Sequence, residues 1–120
     1  MTTLDDPKAD PLEQRAGERR RVLLAGKLVY GDTDMTLDCG IRNLSKRGAR
    51  VRLAGPAALP NEVHLIELRS GVAFDCIVTW RRMPEFGLKF IKSYELPETV
   101  PAEQKRLSAL KRIWVENAPR

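Results

Sequence analysis

The sequence predicts an all-β domain, a small six-stranded antiparallel β-barrel followed by a C-terminal α-helix. Three observations carry that expectation. Apolar residues alternate with polar ones in several short runs, turn signals recur about every ten residues, and beyond Pro97 the apolar spacing lengthens from two residues to three or four. With 120 residues the chain has the length of one domain, enough to bury a core without metal or disulfide staples.

Taken in order, residues 1–12 hold Asp5, Asp6, Asp10, Pro7 and Pro11 and almost nothing to bury. They read as an acidic tail whose few apolar groups cannot offset the entropy of ordering. A first strand is expected over about Val22 to Tyr30, ended by the turn signal Gly31-Asp32. Met35, Leu37, Cys39 and Ile41 then alternate with Thr36, Asp38, Gly40 and Arg42, as a strand with one face on a core requires. Ala49, Val51 and Leu53 repeat the pattern against Arg50 and Arg52. The connection Asn43 to Gly48 is a turn in which Gly48 is expected to supply a backbone angle that a side chain resists.

After the loop marked by Gly55-Pro56 and Leu59-Pro60-Asn61, a strand is expected at about Val63 to Leu68, turned by Ser70-Gly71. Phe74, Cys76, Val78 and Trp80 form the next alternation, which assigns all four to the core. A strand containing Leu88 and Phe90 closes the set. The barrel with its N-terminal arginine loop thus occupies residues 13–97. Residues 98–120 hold the helix, expected from about Pro101 to Asn117, with Leu107, Leu110 and Trp114 on one face and Lys111 and Arg112 toward its far end. That face packs on the barrel or closes one end of it, or else offers a surface for a partner or for a homodimer.

The net charge of +5 suits an anionic partner. Cys39 and Cys76, each inside an apolar alternation, read as buried free thiols rather than a bridge or redox pair. One histidine and two distant cysteines offer no zinc spacing, so no metal site is expected. No apolar stretch approaches the ~20 residues that span a bilayer, and the first residues lack the basic and apolar regions of a secretory signal. The reading is a cytoplasmic protein without stable membrane insertion. Catalysis is not expected: His64 has no nucleophile and acid arranged with it in sequence, Asp32, Asp34 and Asp38 fall at ordinary surface positions, and no glycine-rich phosphate loop is present.

The basic residues are more informative. Arg15, Arg19, Arg20 and Arg21 precede the first strand, and Arg42 to Arg52 adds Arg42, Lys46, Arg47, Arg50 and Arg52 without one acid. Arginine presents a planar fork of donors that matches phosphate and purine edges, so two of them four residues apart suit a doubly charged ligand. Asn43 and Ser45 add short-range hydrogen-bonding groups.

Arg15-Ala16-Gly17-Glu18-Arg19 followed by Asn43-Leu44-Ser45-Lys46-Arg47-Gly48 resembles the two motifs, Arg-x-x-x-Arg and Asp/Asn-x-Ser-x-x-Gly, of the PilZ family of bacterial cyclic di-GMP receptors. Val78-Thr79-Trp80 and Phe86-Gly87-Leu88-Lys89-Phe90 are similar to that family's closing strands. The resemblance implies a PilZ-like barrel and a non-catalytic site for cyclic di-GMP. In it Arg15 and Arg19 grip phosphates and guanine edges from an N-terminal loop, Arg20 assists, and Asn43, Ser45 and Gly48 contact the ligand from the barrel. It also implies relay of the second-messenger level to an effector protein, in pathways such as motility or exopolysaccharide production. Two other readings draw on the same charge: a nucleic-acid-binding small barrel, disfavoured because aromatics are 6% of the chain, and a PilZ-like interaction module that has lost its nucleotide.

Overall fold

A computed structural model of the chain describes residues 20–98 and 104–119, with side chains from Leu23 onward. The expected acidic tail and the expected helix start at Pro101 lie outside the described residues. The elements are β1 (Arg20–Tyr30), β2 (Met35–Leu44), β3 (Gly48–Leu53), β4 (Glu62–Glu67), β5 (Val72–Arg82), β6 (Glu85–Glu95) and α1 (Lys105–Asn117). The strands close a barrel in the order β1-β2-β3-β6-β5-β4, every pairing antiparallel. Closure gives every strand a neighbour on both sides among the described residues.

The expected alternation fills the barrel. Leu28, Ile41, Val51, Leu65 and Phe86 point inward and are essentially without solvent contact. Cys39 and Cys76 join them as free thiols, each pushed up to about 12 chiefly by burial. They are protonated, inert core residues at neutral pH.

A second core lies outside the barrel wall. Val29, Ile66 and Ala73 are next in sequence to inward residues or alternate with them, so they face out, where Leu107, Leu110, Ile113 and Trp114 of α1 cover them. The helix therefore lies along the wall made by β1, β4 and β5. Full burial of Leu110 contributes about 1.5–3 kcal/mol. Trp114 Nε1 donates to the Leu68 carbonyl at 2.8 Å. Its ring rests on Gly71, a turn residue with φ of 77° where a Cβ would lie 2.7 Å from the indole, so both conformation and space exclude a side chain. The carboxylate of the buried Glu67 holds that turn by accepting from the Arg69 and Ser70 amides at 2.7 and 3.2 Å.

Two expectations are corrected. Lys111 and Arg112 do not serve the helix C-terminus: its last turn contains no basic residue, and Lys111 Nζ instead reaches the Glu98 carbonyl at 3.1 Å. Trp80 is not in the core. Val78 pairs with Leu88 but Trp80 pairs with Gly87, so Thr79 is an extra residue that turns Trp80 outward. Phe74 keeps its assigned phase and stacks on Phe90, the ring centres 3.9 Å apart.

Candidate functional site

The turn between β2 and β3 is organised by Ser45. Its backbone amide donates to the Gly48 carbonyl at 2.9 Å, and its Oγ accepts from the Arg47 and Gly48 amides at 3.1 and 3.2 Å. The hydroxyl hydrogen is left with only the Gly48 carbonyl, at 3.3 Å. That contact is long for an O–H donor, so an anionic oxygen at the rim competes well for it. Gly48 is explained differently from the expectation. Its φ is not positive, since among the described glycines only Gly31 and Gly71 have that conformation. What it provides is space: a Cβ there would lie 2.1 Å from the Leu88 carbonyl oxygen on β6.

From this turn a row of residues crosses the outer wall. Asn43 pairs with Arg21 on one side and Arg50 on the other, Arg50 pairs with Gly87, and Gly87 pairs with Trp80. Directly opposed residues of an antiparallel pair share a face, so Asn43, Arg50, Gly87 and Trp80 lie side by side over four strands. The Trp80 indole lies across Gly87, with Nε1 2.0 Å from where a Cβ would stand. An exposed ring, 39% accessible, thus reaches toward the arginines. The signal that could have revealed it is the Trp80-to-Gly87 pairing, which needs the bulge and is absent from simple alternation.

The expected concentration of positive charge is present at the turn and on β3. Lys46 and Arg47 are exposed, and Arg50 and Arg52 stand on the outer face. One acid that local sequence did not associate with them, Glu85 of β6, sits between the two β3 arginines, 3.7 Å from Arg50 Nε and 3.8 Å from Arg52 Nη1. Arg50 Nε is buried and, among the described residues, has no hydrogen-bond partner. A buried donor left in that state costs about 1–3 kcal/mol.

Of the expected ligand residues, the structure brings Asn43, Ser45 and Gly48 together at one end of β2 and β3. Arg20 enters β1 opposite Leu44, one residue from Ser45, although its side chain is not among those described. Arg15 and Arg19 lie outside the described residues.

A different wall carries a broad open cleft of about 1400 Å³, lined by residues including Tyr30, Met35, His64, Asp75, Ile77 and Arg106, and by none of the expected ligand residues. His64 Nδ1 lies 2.9 Å from Asp75 Oδ1, while Tyr94 donates to Asp75 Oδ2 at 2.8 Å and Arg106 stands 3.7 Å from the same oxygen. Burial and then the bond to Asp75 raise the Tyr94 phenol above its ordinary value. One carboxylate therefore ties β4, β5, β6 and the start of α1. This gives His64 a partner within the sheet. Cys76, the thiol in the same lining, is held protonated and is no nucleophile at neutral pH. Among the described residues no group of three metal-ligating side chains occurs, and no helix is long and apolar enough to cross a membrane.

The family model described as PilZ domain matches residues 13–100. No curated protein sequence matches the chain. Among solved structures, the crystal structure of the PilZ domain of CeSA from a cellulose-synthesizing bacterium superposes with a TM-score of 0.51, covering 82% of this chain and 95% of that one at 15% identity. At that identity the likeness speaks for the barrel fold.

Proposed function

Because the chain belongs to the PilZ domain family, whose members generally bind cyclic di-GMP, we propose that it is a non-catalytic, cytoplasmic receptor for that dinucleotide. Arg15 and Arg19, assisted by Arg20, take the phosphates and guanine edges, and Asn43, Ser45 and Gly48 form the barrel side of the site. One observation carries the reading: Arg20 and Arg21 pair with Leu44 and Asn43. That register starts β1 beside the Ser45 turn, and Arg19 is the residue immediately before Arg20. The second motif is thereby beside the strand residue that follows the first motif in sequence, which supports a shared site.

The chemistry is complementary on both sides. Two guanidinium forks match two phosphates, the Ser45 hydroxyl and Asn43 amide offer directional hydrogen bonds, and Gly48 lets the turn lie close to β6. Binding gathers the arginines onto the barrel and so changes the surface around the turn. An effector protein that reads this surface receives the second-messenger level, with motility and exopolysaccharide production as the responses to examine.

Titration calorimetry with cyclic di-GMP tests the proposal. Saturable binding near ~10 μM, about −7 kcal/mol, is expected, and Arg19→Ala is expected to weaken it by about 2 kcal/mol through loss of a charge-assisted contact. Absence of heat and of saturation up to ~100 μM ligand rejects the receptor and leaves an interaction module on the same fold.

A further inference from the structure

We infer that Arg50 is an additional ligand-contacting residue, taking a phosphate of the dinucleotide, and that Glu85 is the carboxylate this phosphate displaces. The inference rests on the cyclic di-GMP reading above and extends its site from the turn to the outer wall.

Arg50 occupies the middle of the row that begins at Asn43. On its far side Gly87 contributes no side chain, and the half-exposed Trp80 indole fills that space and forms the next edge of the row. An anion resting on Asn43 and the turn therefore meets Arg50 next. The charge balance is also incomplete. One carboxylate, Glu85, serves two guanidinium groups at 3.7 and 3.8 Å, both beyond hydrogen-bond length. It screens Arg50 and Arg52 without engaging the fork of either. Among the described residues Arg50 Nε has no hydrogen-bond partner, while the side chain as a whole is 38% exposed. Its outer nitrogens are consequently open to an arriving phosphate, whose geometry a guanidinium matches with two parallel bonds. Once the phosphate is seated, Glu85 is released to pair with Arg52 alone, directly across the strands. Glu85 thus competes with the ligand, and the local sequence around Arg50 gives no sign of it.

Calorimetry on the full chain with cyclic di-GMP at ~150 mM salt decides the matter, with circular dichroism confirming that each variant keeps its barrel. Arg50→Ala is expected to weaken binding about tenfold or more, and Arg50→Lys to recover only part of the loss, because an ammonium restores the charge but not the fork. Glu85→Gln is expected to tighten binding about threefold by removing the competing charge. That gain is one that a purely structural Glu85 does not produce. Arg50→Ala within about twofold of wild type, or Glu85→Gln equal to or weaker than wild type, overturns the inference. If the wild-type chain itself fails to bind, the receptor reading falls and this inference with it. If wild type binds and the Arg50 variants match it, only the inference falls.

Discussion

Gly48 and Gly87 both sit where a methyl group has no room, but the atoms they would meet differ in what they can do. At Gly48 the obstacle is the Leu88 carbonyl oxygen, 2.1 Å away and fixed in the β3–β6 ladder. At Gly87 it is the Trp80 indole, a surface side chain that can rotate away. Gly48→Ala is therefore expected to lose about 1–3 kcal/mol of stability in urea unfolding, because strands must separate. Gly87→Ala should lose less and should instead shift tryptophan emission as the indole is pushed into water. Equal losses for the two variants, with unchanged emission for Gly87→Ala, would falsify this division between backbone and side-chain crowding. A similar distinction applies to Ser45. Its side-chain acceptors are occupied by turn amides, so it shapes the turn in addition to the ligand contact proposed for it.

Among the elements, α1 has an N-terminal end that its own residues serve poorly. Gln104 stands at its N-cap without a side-chain bond, its first turn holds no acid, and Lys105 and Arg106 place positive charge at the positive end of the helix dipole. Packing compensates through Leu107, Leu110 and Trp114. Gln104→Asp should add about 0.5–1 kcal/mol, read as a higher thermal midpoint, since a carboxylate at that position both caps amides and meets the dipole. A lower midpoint would show that the Gln104 backbone cannot adopt the capping geometry.

The legibility of the other elements follows the same physics. β2 and β3 were readable because one face is buried and the other wet, so polarity alternates. The apolar pairs Leu28-Val29 and Leu65-Ile66 belong to strands buried on both faces, and the period of two does not identify their outward members. Trp80 was misplaced by one extra residue, Thr79, since a bulge reverses every later side chain while leaving composition untouched. The turn residues of the candidate site were visible as a motif, whereas Glu85 and Gly87 join it only through strand pairing, which no local pattern reports.

At the scale of the whole molecule, four cations are grouped among the described residues, and their arrangement bears on the kind of anion proposed for the site. Lys46, Arg47, Arg50 and Arg52 gather at the turn and along one strand, with Glu85 among them. Among the described aromatic residues only Trp80 is exposed. Runs of single-stranded nucleic acid are held by successive stacking platforms along a basic groove, and one ring beside a short basic row suits a compact ligand instead. Filter binding to DNA and RNA at ~150 mM salt should show negligible retention; saturable retention that falls steeply with salt would assign the basic row to nucleic acid.

The outer core under α1 also divides the barrel into two kinds of wall. In β4, Leu65, Ile66 and Glu67 are consecutively buried, whereas in β3 buried Ala49, Val51 and Leu53 are separated by Arg50 and Arg52. On the helix side neighbouring positions answer to packing on both faces, and substitution at either parity is felt. On the side bearing Asn43 and Arg50 only alternate positions answer to packing. Exposed positions of that wall such as Arg52 are therefore where side-chain chemistry can change with the least disturbance to the interior.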